Sequence, residues 1–361
     1  MSIIFIPDEN FFDENYIGEN SIGENSTLPY VVDPNTLPCD PKSLEPTVAL
    51  VLCLILVANF LLAVPGNVLV GWVIVSSRHV LTSSDVYLFH LTIADGLLAL
   101  TLPFFAVGLI REWLFGDFMC KFLSLVMEAN FYTSIIFLAC ISVDRYLVIV
   151  CANEVDRSDR RRSSRFLCAA VWALGWTLAL SALFNHVQKF GESERLICTE
   201  SFDLGRATSW RLATRGFRHI FGFLVPLVIM IVCYGITVVR LMNTRGFQKH
   251  KAMRVIIAVV IAFLLFWTPY QITMMVNTLI GAKLIQFDCS RRTSVRLALN
   301  VTNALALLHS CINPLLYAFV GEKFRKKMML LLHRRLRQER RSGSTFSRST
   351  SQTSEGAGTF L

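Results

Sequence analysis

Seven separate apolar stretches, each long enough to cross a bilayer, constrain this chain more than any other feature of its sequence. They run over residues 47–75, 84–110, 119–151, 166–187, 214–241, 252–281 and 295–319. A helix needs about 20 mostly apolar residues to span the hydrocarbon layer, where every backbone polar group must be satisfied without water. The expected fold class is therefore an all-α membrane protein, a seven-transmembrane helix bundle. With 53% hydrophobic and 17% charged residues and a mean hydropathy of +0.51, the chain is too apolar for an ordinary soluble domain. An odd number of spans also places the two termini on opposite faces.

Charge gives that topology its direction. Within residues 1–46, Asp8, Glu9, Asp13, Glu14, Glu19, Glu24, Asp33, Asp40 and Glu45 face the single base Lys42. This reads as an acidic, disordered, extracellular arm. Between Lys323 and Arg341 the bias reverses, with Lys323, Arg325, Lys326, Lys327, Arg334, Arg335, Arg337, Arg340 and Arg341 against Glu339. Lys and Arg accumulate on cytoplasmic flanks, so the carboxyl end is inside and the amino terminus outside. The net charge of +9 is segregated along the chain and forms no single basic face, so nucleic acid is not an expected partner. No basic segment followed by an apolar core and a cleavage site opens the chain, and the first span is expected to serve as the membrane signal.

Four regions follow: the arm (1–46), the bundle (47–319), an amphipathic membrane-surface helix with a basic segment (320–341) and a Ser/Thr-rich cytoplasmic tail (342–361). In the third region Phe324, Met328, Met329, Leu331 and Leu332 recur at helical spacing among bases, which predicts a short eighth helix lying on membrane lipids. The tail has no apolar stripe and is expected to be disordered. The inner loops are short and basic, leaving no room for a cytoplasmic domain, so an intracellular partner must dock on helix ends.

Of ten cysteines, Cys53, Cys140, Cys151, Cys168, Cys233 and Cys311 lie in spans or at the cytoplasmic side and read as reduced. Cys39, Cys120, Cys198 and Cys289 fall on the outer side. Four cysteines allow three pairings, and spacing does not choose among them.

Polar groups inside apolar helices are costly and point to function. Asp95 is either a hydrogen-bonded structural acid or the centre of an oxygen-rich cavity with Asn67, Asn130, Ser134, Ser310 and Asn313, a donor set that suits a hard cation such as sodium. No cofactor is required; the sodium ion would be allosteric. Glu128, below Cys120, either faces a ligand cavity or pairs with a neighbouring helix. Asp144-Arg145-Tyr146 ends the third span. Pro65, Pro103, Pro226, Pro269 and Pro314 lie within five spans and are expected to kink them.

Gly66-Asn67-x-x-Val70, Leu91 to Asp95, Asp144-Arg145-Tyr146, Trp172, Pro226 with Tyr234, Phe266-Trp267-Thr-Pro269 and Asn313-Pro314-Leu-Leu-Tyr317 occur in order, one set per span. The ordered set resembles the rhodopsin-like G-protein-coupled receptors. Thr101-Leu-Pro103, Trp113-Leu-Phe-Gly116, Asp144-Arg-Tyr-Leu-Val-Ile-Val150, Ser26-Thr-Leu-Pro29, Phe131-Tyr132 and Leu308-His-Ser-Cys-Ile-Asn-Pro314 are similar to chemokine receptors, and among them to the interleukin-8 receptors. The likeness runs from about Ser26 to Arg325.

The resemblance implies disulfides Cys120–Cys198 and Cys39–Cys289, and a CXC chemokine ligand held by the arm and outer loops. Asp13, Glu14, Tyr16, Tyr30, Asp40, Glu128, Arg215, Arg218 and Asn303 are the candidate ligand contacts, with Tyr16 and Tyr30 open to sulfation. Asn25 carries a glycosylation sequon; Asn300 also matches but lies in a span. Trp267, Pro269, Asn313, Pro314 and Tyr317 would carry the activating rearrangement. Asp144, Arg145, Tyr146 and Tyr234 would couple to a heterotrimeric G protein of the inhibitory class, driving chemotaxis. Ser347, Ser349, Thr350, Ser351 and Thr353 would be phosphorylated by receptor kinases and read by arrestin. The chain departs from the family at Asn303, where an acid is common, at Phe105, where a tryptophan is common, and at Phe266, where a cysteine is usual. A scavenging receptor that binds without signalling is the nearest alternative. A transporter lacks support from any internal repeat, and neither a zinc-ligand cluster nor a Gly-x-Ser-x-Gly elbow suggests an enzyme.

Overall fold

The structure is a computed structural model and describes residues 44–76, 81–151, 157–189, 195–200, 207–242, 247–282, 284–285, 289–320 and 329–330. Helices α1 (Pro46–Val75), α2 (Ser83–Ile110), α3 (Gly116–Ile149) and α4 (Arg157–Leu178) form the first four spans, the last prolonged by a 3-10 segment, Ala179–Phe184. The fifth span joins α5 (Ala207–His219) to α6 (Val225–Met242) through a π-helical turn, Ile220–Leu224. Helix α7 (Phe247–Gly281) is the sixth, while α8 (Cys289–Leu307) and α9 (His309–Val320), separated at Leu308, make the seventh. These give seven helical segments long and apolar enough to cross a membrane. Of the expected eighth helix only Met329 and Leu330 are described, and both are helical.

The outward faces of the bundle are apolar, as lipid demands, and a few polar side chains sit within a largely apolar core. Leu50, Leu54, Leu61 and Val68 of α1 face outward, while Asn59, Asn67, Asp95, Ser134 and Asn313 are buried within. Helix ends use local chemistry: Thr82 and Asp85 exchange side-chain and backbone hydrogen bonds in a capping box at the start of α2. At the start of α3, Gly116 takes φ +73°, a left-handed conformation that glycine adopts without a Cβ clash. Its carbonyl accepts the Trp113 indole N–H at 2.9 Å.

Span limits expected from hydropathy hold closely for the first two, but the fifth begins at Ala207, not 214, and the seventh at Cys289, not 295. The extra turns carry Arg211 and the run Arg291, Arg292, Arg296. Basic residues lower hydropathy where a helix faces protein or headgroups and not hydrocarbon. The chain continues helically through Pro65, Pro103, Pro269 and Pro314, and Pro226 is the second residue of α6, just past the π turn.

One element was absent from the all-α expectation. Strands β1 (Asn185–Lys189) and β2 (Leu196–Glu200) form an antiparallel hairpin with Val187 opposite Cys198. Four ties hold it across one mouth of the bundle. Cys198 is disulfide-bonded to Cys120 of α3, Cα to Cα 5.6 Å. The Val187 N–H donates to Asp117 at 3.0 Å, and the Trp113 N–H donates to the Leu196 carbonyl at 2.8 Å. Arg195 donates to the carbonyls of Arg111 and Leu109 at 2.6 and 3.0 Å, where a cation also meets the negative end of the α2 dipole.

Candidate functional site

Beneath the hairpin lies a small, partly open cavity lined by Glu128, Ser181, Asn185, Glu200, Arg215, Arg218 and Met274, with Ala182 and Thr214. Glu128 projects from α3 and Arg218 from α5, one residue ahead of His219 and the π turn. Glu128 and Arg218 form an ion pair, Oε1 standing 2.8 Å from Nε, with the side chains only 1% and 6% exposed. Glu128 thus pairs with a neighbouring helix and at the same time lines this cavity. Arg215 makes a second pair with Glu200 of β2 at 2.9 Å and donates to Thr278 Oγ1 of α7 at 3.3 Å. Hairpin, fifth span and sixth span meet in that one guanidinium. Asn303 is buried on α8 but is not among the residues lining this cavity.

The floor continues as a stack. The Arg218 guanidinium lies 4.4 Å from the Phe131 ring centroid and 5.4 Å from that of Tyr270. Phe131 packs on Trp267 at 4.7 Å, and Trp267 in turn on His309 at 5.3 Å. Gly222 is required here, because a Cβ at that position would stand 2.6 Å from the Tyr132 ring and 2.8 Å from Phe131. Phe105 sits beside Trp113, centroids 5.7 Å apart, so the two aromatic residues fill the space between α2 and the hairpin.

Deeper in, Asp95 is fully buried. Asn313 Nδ2 donates to its Oδ2 at 2.7 Å, Ser134 Oγ donates to Oδ1 at 3.4 Å, and His309 Nε2 stands 3.4 Å from Oδ1. His309 Nδ1 is 2.7 Å from the Ala306 carbonyl, which only accepts, so that nitrogen carries the proton. Ser310 Oγ bonds instead to Leu307 O and Asn59 Oδ1, and Asn67 donates to the carbonyls of Ala63 and Ser310. Asn67 Oδ1 and Asn130 Oδ1 are buried without a hydrogen-bond partner. With the Asp95 carboxylate and the Ser134 hydroxyl, these oxygens fit a small hard cation in donor type. Among the described residues no group of three or more His, Cys, Asp or Glu could hold a metal.

At the far end of α3, Asp144 accepts a hydrogen bond from Ser84 at 2.5 Å and stands 3.9 Å from Arg145. Tyr146 is half-buried and Tyr234 buried. On the seventh span Pro314 packs against Gly66, and Tyr317 lies in α9. Trp172 donates to His90 Nδ1 at 3.1 Å. Cys53, Cys140, Cys151, Cys168, Cys233 and Cys311 are free thiols. Cys289 is disulfide-bonded, and Cys39, its expected partner, lies outside the described residues. So do Asp13, Glu14, Tyr16, Asn25, Tyr30, Asp40, Ser347, Ser349, Thr350, Ser351 and Thr353. Asn300 is buried within the seventh span.

Sequence reasoning passed over Glu200 and His309. Glu200 lies two residues past the bridged Cys198, and His309 sits inside a quoted motif without a role; both were findable from those positions.

Comparison with known proteins agrees with this geometry. Residues 66–317 match the family described as 7 transmembrane receptor (rhodopsin family). The chain is 44% identical over 309 residues to C-X-C chemokine receptor type 2 of Homo sapiens, spanning 85% of this chain and 84% of the relative. C-X-C chemokine receptor type 1 of Oryctolagus cuniculus is 46% identical over 275 residues, 76% of each chain. The same receptor type of Homo sapiens is 44% identical over 274 residues, 76% of this chain and 77% of the relative. With the match covering most of the bundle and the relatives spanning most of both lengths, the chain belongs to the rhodopsin family of seven-transmembrane receptors and, within it, to the C-X-C chemokine receptors.

Proposed function

We propose that this multi-pass membrane protein stands in the plasma membrane with its amino terminus outside, binds a CXC chemokine and activates a heterotrimeric G protein of the inhibitory class, driving chemotaxis. The observation that carries the reading is the pairing of two sites on one helix. Helix α3 bears Glu128 in a charged cavity under the hairpin and Asp144-Arg145 at its opposite end. A ligand that binds one arrangement of the bundle better than another shifts its population, and a helix shared by both sites carries the shift.

In this reading the chemokine body rests on the acidic arm, aided by sulfated Tyr16 and Tyr30, while Cys39–Cys289 ties the arm to the seventh span. Chemokines are basic, and an anionic arm raises their encounter rate. The ligand's amino terminus enters the cavity, and Trp267, Pro269, Asn313, Pro314 and Tyr317 pass the rearrangement inward. Arg145 and Tyr234 then meet the G protein. A sodium ion held by Asp95, Asn130, Ser134, Ser310 and Asn313 would favour the resting arrangement. Asn25 would be glycosylated, and kinases and arrestin would act on the tail.

The test is a panel of purified CXC chemokines applied to membranes bearing the chain, with nucleotide exchange on an inhibitory G protein as the readout. At least one should drive exchange. Binding without exchange would replace this reading by the scavenging receptor, and no binding would overturn it.

A further inference from the structure

We propose that Glu128 and Arg218 form a charge latch which holds the resting bundle closed by fixing the rings around Trp267. The pair ties the third span to the fifth at 2.8 Å. The same guanidinium lies against the faces of Phe131 and Tyr270 and donates to the Tyr270 hydroxyl at 3.3 Å. Those two rings flank Trp267, 4.7 and 5.9 Å from its own. Arg218 is thus a positioning residue, since it touches the rings and the rings touch the tryptophan. A cation over a desolvated aromatic face is held more strongly than at an exposed site.

The direction follows from where the latch sits. Both partners line the cavity, so a ligand that reaches its floor competes for one or the other. An interaction weakened by the ligand stabilises the ligand-free arrangement. Separating a buried ion pair takes from each charge its nearest opposite charge, which is strongly unfavourable. The latch therefore stays shut until a group brought by the ligand takes the place of one partner. From Trp267 the contacts run on through His309 to Asp95 and Asn313, reaching the seventh span. Coupling between the two partners is read by changing them singly and together.

This inference rests on the receptor reading in one respect, that ligands enter through this cavity. The experiment needs neither chemokine nor G protein, so the two ideas fail separately. Spin labels at the inner ends of the third and sixth spans of the purified full chain report the ligand-free fraction with those ends apart. Glu128→Gln and Arg218→Gln are each expected to raise that fraction about three-fold or more, a modest population shift. The exchanged pair, Glu128→Arg with Arg218→Glu, should bring it back toward the parent. If a single variant fails to fold, Glu128→Gln with Arg218→Met removes both charges, leaves neither ion unpaired, and is expected to raise the fraction as well. An unchanged or smaller open fraction in the doubly neutral variant, or no recovery in the exchanged pair, would overturn the latch.

Discussion

Single residues in this receptor carry more than their own contacts. Gly222 lets the fifth span approach Phe131 and Tyr132, and an added methyl has nowhere to go. Gly222→Ala should cost about 1–3 kcal/mol through overpacking, read as a lower melting temperature of the detergent-purified protein. An unchanged melting point would mean that the π turn yields instead. Arg145 makes a different case. Its neighbouring acid, Asp144, is itself held by Ser84, so the arginine stands beside a fixed carboxylate at the helix end. Arg145→Ala should abolish G-protein activation and leave chemokine binding at the cell surface largely intact; normal exchange in that variant would remove the coupling role. Glu128 marks the limit of what such residues reveal alone. Its partner depends on how the fifth span is rotated, and a π turn inserts one extra residue, about 100° of helix, with no sequence mark of its own.

At the level of elements, the spans were legible and the hairpin was not. Hydrophobic length is a strong signal because lipid leaves a helix almost no alternative. Strands of five residues in the segment that carries His186, Lys189, Arg195 and Glu200 show no clean alternation; the disulfide and backbone ties to α3 make the hairpin, and these are contacts distant in sequence. Arg195 is the tie most open to test. Arg195→Ala removes two close hydrogen bonds from a charged group to the α2 carbonyl end. Part of that side chain remains hydrated, so the expected loss is about 1 kcal/mol, seen as roughly five-fold weaker chemokine binding and faster amide exchange in β2. Equal exchange rates would show that the disulfide alone holds the strand. The break at Leu308 has no helix-breaking residue of its own, Pro314 lying six residues further on.

For the whole molecule, the two termini and the seam between first and seventh spans set the behaviour. Removing residues 1–36 should weaken chemokine binding and flatten its dependence on salt, since the arm's acids act over a screening length of about 8–10 Å at physiological ionic strength. Affinity that stays the same across a salt series would exclude the arm as first docking site. Replacing Ser347, Ser349, Thr350, Ser351 and Thr353 by Ala should abolish ligand-driven arrestin recruitment and spare G-protein exchange, because each phosphate brings about −1.5 to −2 charges. Recruitment equal to the parent would exclude the tail as the switch. The seam joins the earliest and latest parts of the membrane domain. Asn59 donates to Leu307 O, Asn67 to Ser310 O, and Gly66 meets Pro314. During synthesis the partners of Asn59 and Asn67 emerge from the ribosome some 240 residues later. Until then the first span carries two amides into the membrane with their long-range partners unmade, so this seam closes only once the seventh span has been synthesised.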